Sequence, residues 1–281
     1  MMRKRIKIII VLSFLCVDLL CCSLHNAYCT PLDREQVSDF YTEAVMMFRK
    51  ANEIALTNPE TAKTLYQSSV MRFERIIKDG GIENGKLYYN IGNAYFRMND
   101  LGMAILNYRR AKMLTPDDAN LQHNLQYARS RRIDKIEEEQ KTKVLKTLFF
   151  WHYDFSTGIR FIVLSIMSAC LWISASARFF YKKAFIHRMI IFSAILVTLM
   201  AGSLVVEKVS IENLQPGVII VPQVTARKGN SEAYEPAFKE SLHAGTEFIM
   251  IEERKDWFHV ELPDSRRCWV PKAGAFLVRK S

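Results

Sequence analysis

FIVLSIMSACLWISASARFFYKKAFIHRMIIFSAILVTLMAGSLVV, residues 161–206, is the stretch that decides the fold. Residues 161–177 form a run of seventeen uncharged residues, and 189–206 a run of eighteen. About twenty residues of helix cross the roughly 30 Å hydrocarbon core of a bilayer. The aromatic residues at 179–181 extend the first run to that length, so spans are predicted over 161–181 and 189–206. Two buried core helices are the alternative, but two such runs joined by a short basic and aromatic segment favour a transmembrane hairpin. Arg178, Lys182, Lys183 and Arg188 lie at that join. Basic residues in short loops stay in the cytoplasm, so loop 182–188 is expected there, in reach of anionic membrane lipid, with both flanks outside.

The charge distribution agrees. The chain has 281 residues, 49% of them hydrophobic and 24% charged, with a formal net charge of +10. Lys and Arg against Asp and Glu number 4 to 1 in residues 1–29, 19 to 17 in 30–158, 6 to 1 in 159–208 and 10 to 10 in 209–281. The excess therefore lies in the apolar segments. A nucleic-acid partner would need it on a folded domain, so none is expected. Arg3, Lys4, Arg5 and Lys7 precede the apolar run 8–15, the order of a secretory signal, with a predicted cut after Ala27-Tyr28-Cys29. A retained anchor, or a lipoprotein signal ending at Cys21 or Cys22, are the alternatives. Four of the six cysteines fall in this signal, which leaves Cys170 and Cys268 and no disulfide framework.

Residues 30–135 read as helical, with apolar residues spaced by three and four. Within them GKLYYNIGNAYFRMNDLGMAILNYRRAKMLTPDD, residues 85–118, fits the 34-residue tetratricopeptide repeat. Tyr88, Ile91, Gly92, Tyr95, Ala104, Tyr108, Ala111 and Pro116 fall at its characteristic positions. Gly92 and Ala104 are small where two antiparallel helices are expected to cross, the aromatics fill the space around them, and Pro116 ends the second helix. Upstream, Ala62, Tyr66 and Ser69 repeat the spacing of Ala104, Tyr108 and Ala111, and downstream a helix from 119 to about 133 closes the array. The charged run DKIEEEQK begins a predicted linker helix, 136–160, leading to the membrane.

In such arrays the first helices line a concave face. Lys86, Tyr89, Asn93 and Arg97 on one helix and His123, Tyr127 and Arg131 on the next are the candidate protein-binding groove. Hydrogen-bond donors and positive charge there suit a peptide backbone or a carboxylate, against the plainer reading of an ordinary polar surface.

Residues 209–281 change character. Short β-branched or alternating runs at 218–221, 224–227, 247–252 and 257–262 are separated by Gly, Pro and charged turns, the pattern of a small barrel. The order VTARKGNSE, LHAGTEFIMIEERKDWFHVEL, RRCWVPKAGAFLV resembles a bacterial SH3-like domain, with Cys268 where the closing Gly-Trp pair normally has glycine. Trp257 and Trp269 are expected in its core.

The fold class is therefore multidomain: an all-α tetratricopeptide-repeat domain, two transmembrane helices and a C-terminal all-β SH3-like barrel. That order resembles the BatE proteins of the Bacteroides aerotolerance operon over nearly the whole chain after the signal. The resemblance implies a component of an inner-membrane complex linked to oxidative-stress tolerance. Its partners would be membrane proteins with von Willebrand-type domains encoded beside it. No Gly-rich phosphate loop, G-x-S-x-G elbow or H-E-x-x-H is present in the sequence, and the six histidines are scattered. A non-enzymatic scaffold is expected, with no catalytic, cofactor or metal residues. The competing readings are a wall anchor that binds peptidoglycan through the SH3-like domain and a redox enzyme that uses Cys268.

Overall fold

The computed structural model describes residues 32–137, 144–145, 147–153, 155–181 and 183–279, with backbone alone at 153 and 210–213. The predicted signal, residues 138–141 of the charged run, and Lys182 lie outside the described residues. The chain is mostly helical, with two helices long and apolar enough to cross a membrane and a small antiparallel sheet. It divides into two compact units, Met1–Met98 and Asn99–Ser281. The division falls inside the stretch 85–118 that the sequence assigns to one repeat.

The first unit contains α1 (Arg34–Ile54), α2 (Pro59–Lys78) and α3 (Gly85–Arg97). Each begins where a short polar side chain satisfies an orphan amide of the first turn. Asp33 caps α1 in a reciprocal box with Gln36, Asn58 accepts from the Thr61 amide ahead of Pro59, and Asn84 accepts from the Leu87 amide. Ala44 and Ala51 on α1 are fully buried, and the Ser69 hydroxyl of α2 donates to the Ala44 carbonyl at 2.8 Å, so the two backbones approach closely. Phe73 and Tyr66 of α2 meet Tyr41 and Phe48 of α1 edge to face, with ring centres 5.8 and 5.4 Å apart. Leu87, Tyr88, Ile91 and Ala94 bury the inner face of α3.

The second unit starts with α4 (Leu101–Leu114) and α5 (Ala119–Ser130), capped by Asp100 and Asp118. Ala104, Ile105, Leu106, Tyr108 and Ala111 are buried on α4, with Leu121, Leu125 and Ala128 on α5. Within the predicted linker helix 136–160, residues 136–137 are not helical, whereas 144–145, 147–148 and the one-turn α6 (Phe150–Tyr153) are. Just before residues 136–137, Asp134 is hydrogen-bonded to His243 and Thr246.

The apolar helices are α7 (Thr157–Phe180) and α8 (Ala184–Asn213). At 24 residues α7 is about 36 Å long, more than a bilayer core requires. The join is 181–183, shorter than the predicted loop 182–188, because Arg188 sits inside the first turns of α8. Phe161, Ile162, Trp172, Phe185, Phe192 and Ile195 point outward, the all-round apolarity of helices suited to lipid. Near the start of α7 and the end of α8, Arg160 is buried, ion-paired with Glu207, and donates to Ser203 at 2.8 Å.

Seven short strands follow: β1 (Gln215–Ile219), β2 (Gln223–Val224), β3 (Leu242–His243), β4 (Glu247–Arg254), β5 (Trp257–Glu261), β6 (Arg267–Pro271) and β7 (Ala275–Leu277). They form an antiparallel sheet ordered β6-β5-β4-β1-β7 and a separate β2-β3 pair. The described strands do not close into the expected barrel, since β2 and β3 are two residues each and their pair is not hydrogen-bonded into the larger sheet. A bulge between Met250 and Glu252 turns Ile251 outward. Phe248 lies across Gly217, whose missing side chain makes room: a Cβ there would meet the ring at 2.2 Å. The core holds Ile219, Phe248, Phe258, Val260, Cys268 and Val270. Trp257 and Trp269 are only half-buried, contrary to expectation. Alternation along β6 puts Cys268 and Val270 inside, so Trp269 lies on the opposite face, stacked on His259 with ring centres 4.7 Å apart.

Gly102, in the first turn of α4, meets the end of β1 backbone to backbone. A Cβ there would sit 2.7 Å from Ile220 Cα and 2.8 Å from the Ile219 carbonyl oxygen. Gly102→Ala is expected to lower stability by about 1–3 kcal/mol through this overlap, despite the better helix propensity of alanine. Thermal unfolding of the full chain in detergent checks it, and an unchanged or raised Tm would contradict the contact.

Candidate functional site

The predicted groove residues fall on two single-helix faces. Lys86, Tyr89, Asn93 and Arg97 follow one another at helical spacing along α3 in the first unit, with Lys86 and Arg97 exposed and Tyr89 and Asn93 half-buried. His123, Tyr127 and Arg131 occur at four-residue intervals from α5 to its C-cap in the second unit, all exposed. Near Arg97 lies a pair the sequence reading missed. The Tyr66 hydroxyl donates to Asn52 Oδ1 at 2.7 Å. Burial pushes the Tyr66 phenol up, and the Arg97 charge partly offsets it. Asn52 and Arg97 thus add an amide and a guanidinium to one neighbourhood, groups suited to a peptide carboxylate.

The second unit carries the most concentrated electrostatics. Glu247 opens β4 and its side chain is only 9% exposed. Arg129 of α5 grips it with two hydrogen bonds, Nε to Oε1 and Nη2 to Oε2, both 2.7 Å. Arg109 of α4 donates to Oε2, and Arg132, just past α5, lies 3.3 Å from Oε1. Burial by itself would raise the Glu247 carboxyl. The hydrogen bonds and charges of Arg129 and Arg109 outweigh it and hold the group at about 2. A guanidinium that forks onto both oxygens of a carboxylate, as Arg129 does here, is the geometry in which ion pairs are strongest.

A second polar knot lies beside it. Asp134 accepts from the His243 amide at 2.6 Å and the Thr246 hydroxyl at 2.6 Å, and its other oxygen is 2.8 Å from His243 Nδ1. Burial pushes this carboxyl up, but the bonds from Thr246 and His243 more than reverse it, so Asp134 lies below its ordinary value. Arg110 donates to the carbonyls of Leu277 and Val278 at 3.1 and 3.0 Å, closing the far edge at β7. Gly245, in the turn before β4, has φ of 90°, and a Cβ there would meet Arg132 Cγ at 3.1 Å. α4, α5 and residues 132–134 are thereby joined to the strands by buried charge and close backbone approach.

Two negative features complete the chemistry. Cys268 is 2% exposed and burial pushes its thiol to about 12, so a thiolate nucleophile is not available there near neutral pH. Among the described residues no group of three or more His, Cys, Asp or Glu side chains gathers as a metal site. The arginine cluster had one trace in the sequence, the basic groups at 109–110 and 129–132. Nothing local marked Glu247 as their counter-charge. Comparison with protein-family models, curated proteins and solved structures finds no match for the chain.

Glu247→Gln leaves three guanidinium groups around a neutral amide and is expected to destabilise this junction by about 3–5 kcal/mol. In the unaltered chain the ionised Glu247 contributes fully above its ordinary value of 4.5, and that contribution is lost as pH falls toward about 2. Near-ultraviolet circular dichroism during acid titration should show a transition in that window, much weaker in Glu247→Gln. An identical acid transition in both proteins would contradict the assignment.

Proposed function

We propose that this chain is a non-enzymatic inner-membrane scaffold that holds protein partners on the periplasmic side. On this reading the helices of residues 32–130 are tetratricopeptide-type repeats, the strands form an SH3-like module, and the whole is a BatE-like component of an aerotolerance complex. The observation that carries it is the ion-paired junction at Glu247. The strands follow the two apolar helices and the arginines precede them, yet they share one buried cluster. Groups so joined lie on one side of a membrane, which supports a hairpin with both ends outside and its basic turn inside.

Two rows of side chains support binding rather than catalysis. Lys86, Asn93 and Arg97 on α3 and His123 and Arg131 on α5 present cationic and amide groups along exposed or half-exposed faces. Such faces suit an extended protein segment with carboxylate side chains. The partners proposed are neighbouring membrane proteins with von Willebrand-type domains.

Topology and binding are tested together in cells. A reporter active only in the periplasm should be active when fused after Ser281 and silent at Lys183, and the reverse pattern would overturn the orientation. Asn93→Ala with Arg97→Ala should cut crosslinked recovery of membrane partners by about tenfold at unchanged expression. Equal recovery would remove the groove from the proposal, and retention of the full chain by purified peptidoglycan would favour a wall anchor instead.

A further inference from the structure

Beside the start of α7 lies a cavity of about 390 Å³. Phe149, Trp151, Leu199, Gly202 and Val206 form its apolar walls, and Ser203 and His152 stand at its polar end. Those two polar groups already engage each other, with Ser203 Oγ 2.8 Å from His152 Nδ1 and accepting from Arg160 Nη1 at 2.8 Å. Recognition is left to the apolar walls. The α8 residues of the wall, 198, 199, 202, 203 and 206, fall on one stripe of a helix apolar enough to cross a membrane. Phe149 and Trp151 pack edge to face at 5.4 Å at the mouth, next to Phe150 and Phe155, the aromatic composition of a membrane interface.

We propose that this cavity holds one acyl chain of a glycerophospholipid from the leaflet where α7 begins and α8 ends. The inference rests on the membrane reading above and adds a ligand to it. Three observations select the occupant. One wall belongs to α8, a helix apolar enough to cross a membrane, whose surroundings in a bilayer are hydrocarbon. The volume is that of a small-ligand site, in the range of about 300–1,000 Å³. A partner helix about 10 Å across would fill it within roughly one turn, so a thin flexible chain fits where a helix does not. The polar cluster of Arg160, Glu207, Ser203 and His152 sets the depth at which the chain must end and its headgroup begin.

Gly202 provides the test, because a Cβ at this position meets nothing within 4 Å, so a larger side chain enters the cavity without displacing backbone. The purified full chain is reconstituted into vesicles of phosphatidylethanolamine and phosphatidylglycerol that carry a phosphatidylethanolamine with a photoreactive acyl chain, and labelled peptides are mapped. Label is expected on the segments containing Phe149 to Trp151 and Leu199 to Val206. Gly202→Leu should reduce it at least about five-fold. Val205→Phe, a similar enlargement at an exposed position outside the cavity, should not. Equal labelling of Gly202→Leu and the unaltered chain, or no label on these segments, overturns the inference. Extraction of the unaltered chain by alkaline washing of native membranes would instead overturn the membrane reading beneath it.

Discussion

Glu247 is the residue on which the second unit depends. A carboxylate with a side chain 9% exposed is costly to bury unless its charge is met, and three guanidinium groups from the helical side meet it. The same bonds offset part of the repulsion among the three arginines, which lie close together. Because each partner is needed by the other, the junction is specific: a shifted strand would leave both a buried carboxylate and an unpaired basic cluster. Gly102 and Gly245 let backbone and side chains come close enough for this to work, one against the end of β1 and the other against Arg132.

That junction has a topological consequence. Residues that precede and follow a pair of apolar helices are brought together, so the chain must leave and return on the same side of whatever those helices occupy. The other buried charge pair, Arg160 with Glu207, fastens the start of α7 to the end of α8. Charges within apolar helices persist where they are paired and face inward. The helix pair is thus closed at the end where α7 begins and α8 ends by one ion pair, and the strands are returned to α4 and α5 by another.

The sequence carried some of this and concealed the rest for physical reasons. Long uncharged runs and a basic join are local patterns, so α7 and α8 were legible. The role of Glu247 was not, since its partners lie 138, 118 and 115 residues away and a glutamate after a Gly-Thr turn reads as an ordinary surface charge. The inner and outer faces of β6 were misassigned because a strand has period two and Cys268, not Trp269, takes the inward position. The division at 98/99 was hidden likewise: repeat spacing along α3 and α4 is continuous, while the bonds that commit α4 and α5 to the strands come from distant segments.

The docking of the strands onto α4 and α5 is tested most directly by a photocrosslinking amino acid at Arg132 in the full-length chain, activated in native membranes and followed by peptide mapping. The close approach of Arg132 to Gly245 and Glu247 predicts an intramolecular crosslink to the segment containing residues 243–247. Crosslinks only to other proteins, or none to that segment at normal expression, would contradict the junction and the shared side of the membrane that follows from it.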